Sequence, residues 1–300
     1  MACLSTCIHP PKKRDPMSKE PLELSAFRRS LEEAARRVRA ETPLAPSITN
    51  TVTINFVANA QLACGGSAAM VYMPDECVAI AHAGGAMYVN MGTTFPFYAE
   101  SLPATAQALK ALGKNWVLDP VGIGMGAIRM SVLSGFKAAP PTIVRCNASE
   151  IIALAALWGL DTGSAAQSRV KGVDSFDSVE DALPAAVAVA RHTGGAVAVS
   201  GPADLVTDGR IAARCPGGSA RLSLVTGGGC SLGGVMAVYA AVADPLTAAA
   251  ASTLLYNLAS ERAAAATEGP GSFAGRFLDE LFRATPAEIA AMPMTLEACP

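Results

Sequence analysis

Charge is scarce in this chain of 300 residues: Asp, Glu, Lys and Arg make up 16%, against roughly 25% in an average globular protein. The 23 basic and 25 acidic residues give a formal net charge of −2, so the basic field that nucleic acid or an anionic membrane requires is missing. Low charge density fits an oligomer, and it equally fits an alanine-rich composition; both readings stay open. No apolar run reaches the roughly 18 residues of a membrane span, because the longest, 235–243, stops at Asp244 and Pro245. Residues 1–23 place Lys12, Lys13 and Arg14 among prolines without the apolar core of an export signal. They are expected to form a flexible leader on a cytoplasmic chain. None of the eight cysteines forms a C-x-x-C pair, which indicates neither a disulfide framework nor a zinc module. Cys3, Cys7 and His9 offer three ligands and no fourth. With no linker-like stretch and no fixed-period repeat, one domain is expected over 24–290, followed by a tail at 291–300.

What the chain has is apolar mass. Hydrophobic residues are 51% and glycines number 27, above the usual ~45–50% apolar share and incompatible with disorder. Helical periodicity is read at 24–38, 48–62, 98–112, 148–158, 179–192, 231–243, 246–266 and 273–282. Short apolar runs at 70–73, 86–91, 116–121, 142–145 and 196–200 read as strands, and Asp208-Gly209 turns a hairpin. Strands alternating with helices predict an α/β fold with a mainly parallel central sheet covered by helices on both faces. In such sheets ligands bind beyond the carboxyl ends of the strands.

Three junctions carry chemistry. Thr226-Gly227-Gly228-Gly229-Cys230 opens a helix; glycines admit a close ligand and a helix N-terminus offers unpaired N–H groups, which suits a phosphate. Cys230 is expected there as a thiolate, its pKa lowered by the helix terminus. The alternative is a tight turn beside a buried cysteine. Asp119 ends a strand ahead of Pro120-Val121-Gly122-Ile123-Gly124 and reads as a metal or phosphate-side carboxylate. Gly122, Gly124 and Ala127 match a loose dinucleotide pattern, but the acidic ribose ligand about 20 positions on is absent. Asn147-Ala148-Ser149-Glu150 has capping-box spacing. Arg145 immediately before it supplies, with a carboxylate, what a magnesium–phosphate complex needs. His82 and His192 have no partner at a recognisable spacing and read as structural or solvated.

Taken in order, Ser47-Ile48-Thr49-Asn50, Asn55-Phe56 with Ala58-Asn59-Ala60, Asn90-Met91-Gly92-Thr93, Leu118-Asp119-Pro120-Val121-Gly122, Arg145-Cys146-Asn147-Ala148-Ser149-Glu150, Lys171-Gly172-Val173-Asp174, Val225-Thr226-Gly227-Gly228-Gly229-Cys230 and Gly269-Pro270-Gly271-Ser272-Phe273 resemble the hydroxyethylthiazole kinase family. The resemblance spans about 44–283. It implies a ribokinase-like α/β fold, phosphorylation of 5-(2-hydroxyethyl)-4-methylthiazole by Mg-ATP in thiamine salvage, and a homotrimer with active sites between subunits. It further implies that Arg145 and Ser200 contact ATP, and that Thr226, Gly228 and Gly229 form the phosphate loop. Asp119 and Glu150 would hold Mg2+ or its waters. Asn50, Met70 and Gly227 would line the thiazole pocket, with Cys230 nearest the substrate hydroxyl.

The chain departs from the family pattern in three places. Ser200 stands where threonine is frequent, the segment before Ile48 is Leu44-Ala45-Pro46-Ser47 without the usual histidine, and Thr93-Thr94-Phe95-Pro96-Phe97 is unusually aromatic. The last two leave open a related heterocyclic alcohol such as a pyrimidine or pyridine methanol. Other readings are a different ribokinase-like kinase, a repair enzyme of the same fold, or a silent nucleotide-binding protein. Asp119, Arg145, Glu150 and Cys230 together favour a kinase over the last, because fold alone does not require all four.

Overall fold

The computed structural model describes residues 23–163 and 178–300. The leader up to residue 22 and the Lys171-Gly172-Val173-Asp174 motif lie outside the described residues. In chain order the first half runs α1 (Leu24–Glu41), β1 (Leu44–Ile48), α2 (Ile54–Ala63), β2 (Ser67–Met70), α3 (Pro74–Ala83), β3 (Ala86–Asn90), α4 (Tyr98–Ala111), β4 (Asn115–Asp119) and α5 (Ala127–Gly135). Then come β5 (Ile143–Asn147), α6 (Ala148–Leu157), α7 (Val179–Thr193), β6 (Ala196–Ser200), β7 (Ala203–Thr207) and β8 (Ile211–Pro216). A 3-10 turn (Ala220–Leu224) precedes α8 (Gly228–Ala240), α9 (Pro245–Ala265), α10 (Pro270–Arg283), α11 (Pro286–Ala291) and β9 (Thr295–Ala298).

The strands form one sheet in the order β2-β1-β3-β4-β5-β6-β7-β8-β9. Pairing is parallel from β2 through β6 and antiparallel from β6 to β9. Because side chains alternate along a strand, each strand feeds two cores. Ala86, Tyr88, Val117 and Ile143 face α1, α2 and α8 to α11, whereas Met87, Val89, Trp116 and Val144 face α3 to α7. The expected α/β architecture, a mainly parallel sheet with helices on both faces, is what the chain forms.

Local expectations failed at two places. Residues 48–62 are not one helix, since β1 occupies Leu44–Ile48 and α2 starts only at Ile54. Pro46 hid the strand, yet it pairs with Ala69 of β2, and the pairing of β1 with β3 begins one residue later, at Ser47. Its ring instead packs on Gly84, where a Cβ would lie 2.4 Å from Pro46 Cδ. The strand read at 70–73 lies at Ser67–Met70; its Ser-Ala-Ala sequence has little β propensity. Pro74 then opens α3 as its first residue rather than merely ending a strand. Within the segment expected as a tail, β9 pairs with β8 from Arg214↔Thr295 to Ile211↔Ala298.

The helix that orders the site is α8. It is buried along nearly its whole length and packs between α2, α9 and the strands β1, β3 and β4. Small residues allow that approach: a Cβ on Gly233 would lie 2.3 Å from the Tyr88 ring.

Candidate active site at the carboxyl ends of the strands

Strand periodicity puts Asn90, Asp119, Arg145 and Ser200 on the α8 side of the sheet. Register then aligns their ends, with Asn90 opposite Asp119 and Asn147 opposite Ser200. The result is a polar chain across six strand ends and turns. Asn50, just after β1, donates from Nδ2 to Asn90 Oδ1 (2.9 Å) and to Cys230 Sγ (3.5 Å). Asn90 Nδ2 donates to Tyr88 Oη at 2.8 Å, and the Tyr88 hydroxyl donates to Asp119 Oδ2 at 3.1 Å. Arg145 completes the chain, with Nη1 on Asp119 Oδ2 (3.4 Å) and Nη2 on Ser200 Oγ (3.0 Å).

Burial controls the charges. Asp119 is fully buried, which raises its pKa against the opposing pull of Arg145 and of the Tyr88 and Val121 hydrogen bonds. Burial works to deprotonate Arg145, but the carboxylates of Asp119 and Glu150 outweigh it and hold the guanidinium above its ordinary value. Among the described residues the buried Arg145 Nε–H has no hydrogen-bond partner. Glu150, in the first turn of α6, accepts from the Asn147 N–H at 2.9 Å while Asn147 Oδ1 accepts from the Glu150 N–H at 2.9 Å. The expected capping box is therefore formed. Burial and the charge of Asp119 push the Glu150 carboxyl up to about 7.

At the glycine turn the chain enters α8 not from a strand but from the 3-10 turn. Gly227 adopts φ 92° as the helix N-cap, a left-handed conformation that favours glycine. Among the described residues, the N–H groups of Gly229 and Cys230 donate to no backbone carbonyl, as first-turn donors do. The Arg145 guanidinium lies over this turn: a Cβ on Gly229 would come within 2.8 Å of Nη2. Arg145, Ser200, Asp204, Gly228, Gly229 and Asn257 line a cavity of about 580 Å3, and Asp204 accepts from the Gly201 N–H beside Ser200.

Other sequence-predicted residues are placed as follows. Gly227 lies against Thr53 and Phe56 at the start of α2, near the Asn50 turn, where the Thr53 N–H donates to Asn50 Oδ1. Thr226 is exposed. Met70 ends β2 opposite Ser47 and is half-buried on the α8 side of the sheet, packed on the same core as Cys230. His82 and His192 are exposed.

The expected Cys230 thiolate is not formed. Burial, followed by repulsion from Asp119, pushes the thiol up to about 11, and this outweighs the helix terminus. Near neutral pH Cys230 is therefore a neutral thiol that accepts from Asn50. Cys230→Ser accordingly should keep kcat within about tenfold of wild type, short of the 10²–10⁴-fold loss of a general base. Steady-state kinetics from pH 6 to 9 check this; no thiol ionisation should appear in that range.

Sequence reasoning assigned no role to Tyr88, Asn90, Asp204 or Asn257. Tyr88 and Asn90 were readable as two polar groups on one face of an otherwise apolar strand. Asp204, whose carboxyl burial raises to about 6, carried no such signal, because only the hairpin fold brings it to the cavity.

The carboxyl ends of a mainly parallel sheet thus bring together an arginine, two carboxylates and a glycine turn. A solved ribokinase-like superfamily protein from Enterococcus faecalis shares the fold, with 12% identity, TM-score 0.57, and coverage of 85% of this chain and 94% of that one. A model of the Hydroxyethylthiazole kinase family matches residues 35–287, and the chain belongs to that family. It is 53% identical over 283 residues to a hydroxyethylthiazole kinase of Bifidobacterium longum subsp. infantis, covering 89% of this chain and 90% of the relative. The solved hydroxyethylthiazole kinase protein of Pyrococcus horikoshii superposes with TM-score 0.79 and 30% identity, over 90% of this chain and 99% of that one.

Proposed function

We infer that this chain is a hydroxyethylthiazole kinase, transferring the γ-phosphoryl group of ATP to the side-chain hydroxyl of 5-(2-hydroxyethyl)-4-methylthiazole in thiamine salvage. The observation that carries the reading is the Arg145 guanidinium seated on Gly229, beside the unpaired N–H groups of Gly229 and Cys230. A phosphoryl group held there has positive charge on one side and Cys230, with its neighbour Asn50, on the other. Phosphoryl transfer through a loose transition state needs chiefly such positioning and charge neutralisation.

ATP then occupies the cavity, with its phosphates toward Arg145, Ser200, Gly228 and Gly229 and its nucleoside toward Asp204 and Asn257. Thr226 flanks the phosphate loop. The thiazole lies on the Asn50, Met70 and Gly227 side, with Cys230 nearest its hydroxyl. The fit to Mg2+ rests on the donor set. Asp119 and Glu150 are oxygen donors that repel one another, and Mg2+ takes one or two carboxylates with phosphate and water completing its shell. Among the described residues no cluster of three or more His, Cys, Asp or Glu side chains forms a closed metal cage. When bound, the cation would neutralise phosphate charge; Asp119 and Glu150 would hold it or its waters, while Arg145 holds Asp119 in place and pulls its carboxyl down against the effect of burial.

Packing accounts for two of the departures from the family pattern, which supports the thiazole alcohol over another heterocycle. Pro46 rests on Gly84. Phe95 stacks on Phe97 at 5.3 Å and meets Tyr72 and Tyr98 edge-on, within the core on the opposite side of the sheet. A homotrimer with sites between subunits is supported by exposed apolar residues flanking the site segments: Val52 after Asn50, Met73 after Met70 and Leu224 before Thr226. Among the described residues no helix is long and apolar enough to cross a membrane, in keeping with a cytoplasmic kinase. ADP release with Mg-ATP should be strongest with the thiazole alcohol in a panel that includes hydroxymethylpyrimidine, pyridoxal and ribose. Preference for another alcohol overturns the substrate assignment.

A further inference from the structure

The phosphate and substrate ends of the site are joined by one side chain that belongs to neither. We propose that Tyr88 is a positioning residue for phosphoryl transfer, its hydroxyl locking Asp119 to the Asn90–Asn50 amide pair as a single hydrogen-bonded unit. The proposal rests on the kinase reading above and assigns a role within that site.

The direction of every bond in the unit is fixed by the backbone. The Gly92 N–H donates to Asn90 Oδ1 at 2.9 Å, and the Thr53 N–H donates to Asn50 Oδ1 at 3.0 Å. Both carboxamides are thereby turned with their nitrogens away from those turns. Asn90 Nδ2 must then donate to Tyr88 Oη. A phenol that accepts one bond has a single proton to give, and it goes to Asp119 Oδ2. Through the other amide, Asn90 Oδ1 holds Asn50 Nδ2, which in turn faces Cys230 Sγ. Aim therefore passes from Asp119, beside Arg145 at the phosphate end, to the Asn50–Cys230 contact at the acceptor end.

The surrounding fold is shaped for this phenol. Tyr88 is fully buried, and its ring fills the space that a side chain on Gly233 of α8 would occupy, since a Cβ there would be 2.3 Å from Cε2 and 2.9 Å from Oη. An apolar residue would fill a strand position facing the core equally well. Phenylalanine at 88 keeps the ring but leaves Asn90 Nδ2 without its acceptor and Asp119 without a donor, and a buried network that is partly satisfied loses its single geometry. A misplacement of about 1 Å can cost roughly 100-fold in rate.

The test is a double-mutant cycle of Tyr88→Phe and Asn50→Ala, run on the alcohol that the wild-type protein phosphorylates fastest. Calorimetric binding of ATP and of the alcohol to metal-free protein is measured alongside. The expected result for Tyr88→Phe is a kcat roughly tenfold or more below wild type, with both KM values and both binding constants within about threefold. The double variant should be no more than about threefold slower than the slower single variant, because both substitutions break one unit. The proposal is overturned if Tyr88→Phe keeps kcat within about twofold, if its loss appears in KM instead, or if the two losses multiply. Should Tyr88→Phe not fold, Tyr88→Leu with Gly233→Ala refills the space behind α8 and enters the same cycle under the same criteria. A wild-type preference for an alcohol other than the thiazole overturns the substrate reading alone; a protein that phosphorylates no alcohol contradicts both.

Discussion

Arg145→Ala should lower kcat/KM for ATP by about 10²–10³-fold, the range seen when one preorganised donor to a developing charge is removed. The apparent KM for ATP should rise more than that for the alcohol, because the guanidinium lies on Gly229 and Ser200 rather than on the Asn50 side. Stability should fall as well. The Arg145 side chain is 12% exposed and that of Asp119 is fully buried, so the substitution strands a carboxylate in the core, a change that typically costs 3–5 kcal/mol. Steady-state kinetics with each substrate varied, together with a urea titration, check both parts. A larger rise in KM for the alcohol than for ATP would remove Arg145 from the nucleotide.

Glu150→Gln separates a cap from a charge. Glutamine also closes a capping box, so folding should survive. The carboxyl of Glu150 is raised in the folded protein from 4.5 to about 7, which fixes the sign of the pH effect. The folded state holds the proton more tightly, so the contribution of Glu150 to stability is complete below pH 4.5 and is lost as pH rises through 7. With about 1.4 kcal/mol per unit, the wild-type protein forfeits up to about 3 kcal/mol from this group at pH 8. The variant has no such loss. Measured in chelator without nucleotide, it should match wild type near pH 4.5 and exceed it at pH 8. Turnover with Mg-ATP should nevertheless drop, by roughly 10–100-fold, if the carboxylate holds the cation or its waters. Unchanged turnover with lower stability at every pH would leave Glu150 a cap and nothing more.

Much of this site was legible in the sequence because its parts are local. A carboxylate at a strand end, a capping box and three glycines before a helix are each written in a few consecutive residues, and the structure brings Asp119, Arg145, Ser200 and the glycine turn together. Where reading failed, the decisive contact was distant. Pro46 broke the apparent strand because its harmlessness depends on Gly84 and on where the β1–β3 ladder begins. The Cys230 ionisation was misread because helix polarity is visible in sequence, while burial beside Asp119 is not. Tyr88 stayed silent for a related reason: its partner in shape is Gly233, on a helix 145 positions away. Met70 was assigned through family resemblance alone; it ends β2 opposite Ser47 and packs on the same core as Cys230.

The central claim is that phosphate passes from ATP to the thiazole side-chain oxygen at the Arg145–Gly229 seat. Phosphorus NMR of the full reaction of wild-type protein, Mg-ATP and 5-(2-hydroxyethyl)-4-methylthiazole tests it directly. The predicted result is a phosphate monoester on the hydroxyethyl oxygen, formed one for one with ADP and slowed in step with ADP formation, by about 10²–10³-fold, in Arg145→Ala. ADP accompanied only by inorganic phosphate, with the alcohol recovered unchanged, would contradict it.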